Sequence, residues 1–144
     1  MPSTSAFAVV GHRNWGKSTT LRALAGKPGW VNLDGERFFV RLMSNDDIPD
    51  DYEKFIDGVD PKKKPYLLVA YCPEQGRPRL LEKLAKKYRL GLFVLEHRAA
   101  GGDRLAANEI AGLRAFGKVR VFDKLGAQPT EIARILRSFI AESR

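Results

Sequence analysis

The sequence predicts an α/β protein in three layers, with helices on both faces of a mostly parallel six-stranded sheet. A β-hairpin contributes one antiparallel edge strand. Three observations carry this prediction. Short apolar runs alternate with longer stretches whose apolar residues recur at helical spacing. The pair Asp34-Gly35 lies between two β-rich runs, a strong signal for a tight hairpin turn. Gly11-His12-Arg13-Asn14-Trp15-Gly16-Lys17-Ser18 joins an apolar run to a helical one and carries two glycines at a fixed spacing.

In chain order, Ala6 to Val10 is wholly apolar, as a strand buried on both faces should be. Lys17 to Ala25 has Leu21, Leu24 and Ala25 on one helical face, and Gly26 ends it. Trp30 to Leu33 and Glu36 to Leu42 are the arms of the hairpin. Asp50 to Ile56 opens with acidic residues, as a helix N-terminus prefers. Asp60 to Pro65 is an exposed basic loop. Tyr66 to Cys72 is an apolar strand, and Pro78 to Tyr88 an amphipathic helix with Leu80, Leu81, Leu84, Ala85 and Tyr88 inward. Leu92 to Leu95 is a strand followed by a loop over Glu96 to Gly102. Asp103 to Ala115 is predicted helical with Asp103 as its cap. Val119 to Phe122 is the last strand and Pro129 to Glu142 the last helix.

At 144 residues, one domain spanning 1–144 is expected. The single cysteine, Cys72, excludes an intramolecular disulfide and suits a reducing cytosol, so a cytoplasmic location is expected. Met1 to Ser5 lacks the basic start and apolar core of a signal peptide, and no apolar run is long enough for a transmembrane span. The net charge of +8 favours anionic partners. Lys and Arg are spread along the chain rather than blocked, and no aromatic-basic interleaving resembles an RNA-binding module. A nucleic-acid partner is therefore not favoured over a nucleotide or a protein.

The segment from Gly11 to Ser18 matches G-x-x-x-x-G-K-S, the phosphate-binding P-loop or Walker A pattern. Backbone N–H groups can wrap a phosphate only where the chain bends sharply and no side chain intrudes, hence the glycines. The helix that starts there aims free N–H groups and its positive dipole end at the anion. Gly11, His12, Arg13, Asn14, Trp15, Gly16, Lys17, Ser18 and Thr19 are the expected phosphate-binding residues. Lys17 supplies charge to the outer phosphates and, with Arg13, forms the catalytic pair of this reading. The Ser18 hydroxyl is placed for Mg²⁺.

Ligands of such sheets sit at the C-terminal ends of the strands. That rule places Asp46, Asp47, Glu74, Glu96, His97, Arg98 and Lys124 along the same rim. Asp46 and Asp47 join Ser18 as expected Mg²⁺ ligands. His97, Arg98 and Lys124 are the expected base-binding residues. Glu74 and Glu96 are candidates to position water.

Val9 to Gly26 resembles the first motif of the Era/TrmE-type bacterial GTPases, roughly V-V-G-x-x-N-V-G-K-S-T-L-L-N-A-L-x-G, and the element order with its hairpin resembles the small GTPase (Ras-like) fold. The resemblance implies a P-loop NTPase that binds and hydrolyses a nucleoside triphosphate with Mg²⁺, with Asn14 matching the K⁺ ligand of that group. The departures are specific. Only 13 residues separate Lys17 from Val31, which leaves almost no room for a switch I. Ser44-Asn45-Asp46-Asp47 replaces D-x-x-G, Glu96-His97-Arg98-Ala99 replaces N-K-x-D, and Asp123-Lys124-Leu125 replaces S-A-K. Guanine specificity is therefore unsupported. Arg13 stands where Ras-like proteins carry a small glycine, close enough to stabilise transition-state charge in cis or to obstruct the attacking water.

Three functions compete. The first is a divergent GTPase-like NTPase acting slowly as a switch or assembly subunit. The second is a small-molecule or nucleotide kinase, because Leu33-Asp34-Gly35-Glu36-Arg37 resembles the acceptor-binding L-D-G-D-x-x-R of adenylylsulfate-type kinases. The third is a non-hydrolysing pseudo-GTPase that recruits a partner, with Lys62 to Lys64 as a contact. If Asp34-Gly35 is a hairpin tip, it points away from Lys17 and Asp34 cannot serve as the kinase base.

Overall fold

The computed structural model describes residues 4–12, 15–96, 104–124 and 126–143. The strands are β1 (Ser5–Val10), β2 (Gly29–Leu33), β3 (Glu36–Arg41), β4 (Tyr66–Tyr71), β5 (Arg89–Leu95) and β6 (Gly117–Phe122). The helices are α1 (Lys17–Ala25), α2 (Pro49–Gly58), α3 (Arg79–Lys87), α4 (Ala107–Leu113) and α5 (Pro129–Ser143). The strands form one sheet in the order β2-β3-β4-β1-β5-β6, parallel except for the antiparallel β2–β3 hairpin. This is the three-layer α/β/α architecture that the alternation predicts.

Burial follows from position in the sheet. β1 is central, paired with β4 and β5, and all six of its residues are buried. The outer strand β6 keeps half-buried and exposed residues in alternation. α1 packs on α5 on one face, and α2 on α3 on the other. An aromatic seam links the α5 face to the sheet, with Phe7 against Phe38 and Phe139, and Phe93 against Phe139 and Phe122. Gly91 is required there, since a Cβ at that position would stand 2.6 Å from the Phe7 ring.

The hairpin turn has φ 51° at Asp34 and 85° at Gly35, the double positive φ of a type I′ turn. Because β3 runs parallel to β4 and β1, this tip lies at the opposite end of the sheet from Gly11–Ser18. Asp34 is held there by Arg137 of α5, Nη2 to Oδ1 2.6 Å. The chain from Leu33 to Arg37 thus offers no acceptor base to Lys17.

One helix starts later than the sequence predicts. Asp103, the expected cap, lies outside the described residues, but Arg104 to Ala106 are not helical. The Leu105 N–H donates to the Glu96 carbonyl at 2.8 Å, which holds this stretch against the end of β5. The helix begins only at Ala107, where the Glu109 carboxylate accepts from the Ala106 N–H at 3.1 Å. β5 and β6 also begin earlier than expected, at Arg89 and Gly117. Leu90↔Gly117 and Gly91↔Lys118 are sheet pairs although glycine is a poor strand former.

Candidate functional site

β1 ends at Val10 and α1 begins at Lys17, so the G-x-x-x-x-G-K-S segment is the connection between a central strand and a helix. Gly16, at φ 92°, turns the chain into the helix in a conformation that only glycine adopts at no cost. Gly16 has no side chain with which to cap α1, and the first turn has no acidic residue, so neither compensates the free N–H groups and positive dipole end there. Trp15 is buried, edge-on to the His12 ring at 4.9 Å, and packs the loop from beneath. Arg13 and Asn14 lie outside the described residues.

Lys17 is 7% exposed and donates from Nζ to the His12 carbonyl at 2.8 Å. Burial pulls its pKa below the ordinary lysine value, and the charges of Asp46, Cys72 and Asp47 act against that shift. The ammonium therefore sits in a desolvated place facing carboxylates from another element.

Those carboxylates belong to the turn between β3 and α2. Gly16, Lys17, Ser18 and Thr19 line a cleft of about 300 Å³ together with Leu42, Ser44, Asp46 and Asp47. The sequence expectation that Asp46 and Asp47 meet Ser18 is thus a proximity in the fold, although β4 separates β3 from β1. Within the turn, Ser44 Oγ contacts Asp46 Oδ1, and the Ser44 N–H donates to Asp47 Oδ2 at 2.9 Å. Among the described residues, Asp46 Oδ2 is buried with no hydrogen-bond partner. Asn45 bridges the gap over β4, its Nδ2 donating to the Cys72 carbonyl at 2.9 Å and its Oδ1 accepting from the Cys72 N–H at 2.7 Å.

No protein-family model matches the chain, and no curated protein does. Among solved structures, an unliganded sugar kinase from Janibacter sp. HTCC2649 is similar, with a TM-score of 0.49 and 11% identity over 96% of this chain and 95% of that one. These comparisons do not place the chain with the Era/TrmE-type GTPases. The chemistry of the site has to come from its own side chains.

Among the described residues, Lys124, Glu74 and Glu96 do not line the cleft. Lys124 follows β6 and binds Glu131 of α5, Nζ to Oε2 2.6 Å. His97 and Arg98 lie outside the described residues. Glu74 accepts from Tyr71 Oη at 2.8 Å and from the Leu80 N–H at 3.0 Å, so its carboxylate caps α3. Burial, reinforced by that hydrogen bond, raises the Tyr71 pKa far above the ordinary tyrosine value and keeps the phenol protonated as donor. Glu96 binds Arg104, Oε1 to Nη2 2.5 Å. Neither glutamate is presented to the cleft as a water-positioning base.

Sequence reasoning missed Asn45 and Cys72 as parts of the site. Cys72 Sγ stands 3.9 Å from His12 Nδ1, so the end of β4 forms one wall of the loop. Parallel pairing of Val10 with Tyr71 puts Cys72 beside Gly11, and only the strand order reveals that neighbour. Among the described residues no cluster of three His, Cys, Asp or Glu side chains could hold a metal. A Mg²⁺ held by one or two protein oxygens, phosphates and waters needs no such cluster.

Proposed function

We propose that this chain binds a Mg²⁺-nucleoside triphosphate on the segment from Gly11 to Thr19 and hydrolyses it slowly. The observation that carries the reading is the buried Lys17 ammonium, which shares one cleft with Ser18, Asp46 and Asp47 at the glycine-led start of α1. In this reading the loop N–H groups take the phosphates and Lys17 neutralises their outer oxygens. The donor set fits Mg²⁺, because Asp46 Oδ2 is a buried oxygen with no partner among the described residues and Ser18 adds a hydroxyl to the lining of the same cleft. Ser18 and Asp46, with Asp47, would hold the ion, which when bound neutralises phosphate charge. Arg13, next to His12 in sequence, supplies a cation in cis. No side chain described here selects the base, so the reading covers ATP and GTP alike.

The engagement of Glu74 and Glu96 elsewhere favours slow turnover, and it equally favours the second reading, a non-hydrolysing module that recruits a protein partner. The kinase reading loses Asp34 as its base, because that carboxylate is at the hairpin tip on Arg137. Phosphate release from ATP and GTP with Mg²⁺ separates the first two. The hydrolase reading expects release by the wild type that falls at least about tenfold in Asp46→Asn, with a shift to higher Mg²⁺ demand. No release by the wild type, with nucleotide still bound, selects the non-hydrolysing module.

A further inference from the structure

The hairpin face that points toward α2 carries an assembly that the sequence order hides. Trp30 and Phe39 are cross-strand partners, edge to face at 5.4 Å. Phe39 stacks on Phe55 of α2 at 5.9 Å. The Arg37 guanidinium lies 4.5 Å from the Trp30 ring centroid, and Lys64 Nζ lies 4.7 Å from that of Phe39 and 5.8 Å from that of Trp30. All three rings are half-buried, Arg37 is exposed, and Lys62 and Lys63 beside Lys64 are exposed too. Aromatic planes and cations therefore alternate across β2, β3, α2 and the basic loop, on the outer edge of the sheet. Asp60 and Asp51 are among the acidic groups of the adjoining loop and helix. Asp60 is turned back onto the Lys62 N–H at 2.9 Å, and Asp51 is bound by Arg41.

We infer that this face binds single-stranded nucleic acid. Stacking platforms combined with a row of cations suit a strand whose bases are flat and whose backbone is a polyanion. The Arg37 guanidinium already lies over the Trp30 ring, and a guanidinium plane is itself a surface on which an unpaired base stacks. Lys62, Lys63 and Lys64 take the phosphates that follow. The overall charge of +8 supports approach of a polyanion. An acidic peptide would use the cations and leave the rings idle. A duplex keeps its bases stacked internally and cannot use the rings either. The face does not depend on the cleft at Lys17, which lies at the α1 end of the connection from β1 to α1.

The test is fluorescence anisotropy of labelled oligothymidylate and oligouridylate with the wild-type chain, Arg37→Ala, Trp30→Ala, the triple variant Lys62→Glu, Lys63→Glu, Lys64→Glu, and Lys17→Ala. Circular dichroism checks that each variant is folded, and Arg37→Ala, an exposed change, covers the case in which Trp30→Ala is not. The expected result is binding by the wild type that weakens about tenfold or more in Arg37→Ala or Trp30→Ala and is lost in the triple variant. Affinity should fall with salt at about −0.7 per phosphate contact, a slope of about −2 to −3 for the four cations. Lys17→Ala should bind the strand as the wild type does. The inference is overturned if no strand binds at low salt, if the ring and guanidinium variants bind like the wild type, or if duplex DNA or polyglutamate competes as well as the single strand.

Discussion

The side-chain amide of Asn45 spans the end of β4 and holds both backbone groups of Cys72, and the residues on either side of it inherit that anchor. Asp46 follows directly, so its carboxylate reaches the cleft from a turn tied down at one point. Replacing Asn45 by Ala leaves the Cys72 N–H and carbonyl without these partners in a half-buried place. The expected cost is about 1–3 kcal/mol, read from urea unfolding as a lower midpoint with an unchanged slope. An unchanged midpoint would mean that water replaces the amide without penalty. The contrast with Lys17 shows what a sequence discloses at this scale. Gly11 to Ser18 is contiguous, and each residue type answers a local demand, so a chemical expectation can be stated before any fold is known. The Asn45–Cys72 pair spans 27 residues of sequence, and nothing in Ser44-Asn45-Asp46-Asp47 announces a partner there. The same holds for Trp30, Phe39, Phe55 and Lys64, which form a patch only after the hairpin closes on α2.

At the scale of elements, periodicity and turn chemistry found the six strands and five helices of the described residues in their order. The bounds that moved are those set by tertiary pairing. β5 begins at Arg89 because a neighbouring strand completes its ladder, and α4 waits until Ala107 because Glu96 holds Leu105. Ion pairs between helices are equally invisible in sequence. Glu53 of α2 binds Arg79 and Lys83 of α3, and those hydrogen bonds lower its pKa to about 2 from 4.5. The depressed folded-state value fixes the sign. The contribution is present above the unfolded value near 4.5 and is lost as pH falls through about 2. Thermal melts of the wild type and Glu53→Gln should differ at pH 6 and converge between pH 4.5 and 2. Because the pair is exposed, 1 M salt should shrink the difference. A difference that persists at pH 2 would assign the effect of Glu53 to packing instead.

For the molecule as a whole, the strand order places the Gly11–Ser18 connection at the middle of the sheet, with β4 and β5 on either side of β1. The acids after β3 arrive across β4, and the nucleic-acid face lies beyond them at the β2 edge. The two proposed functions therefore occupy different parts of one sheet and can be perturbed separately. The class of fold was legible because alternating apolar strands and amphipathic helices admit few arrangements. The order of the strands was not, since it depends on which crossover each helix makes. The central claim is that the Lys17 cleft takes a nucleoside triphosphate. Titration calorimetry of ATP and GTP with Mg²⁺, on the wild type and on Lys17→Ala, tests it most directly. The account expects one or both nucleotides to bind the wild type and affinity to fall at least about a hundredfold in Lys17→Ala, the worth of a desolvated charge pair with phosphate. Equal binding by both proteins, or none by the wild type, would contradict it.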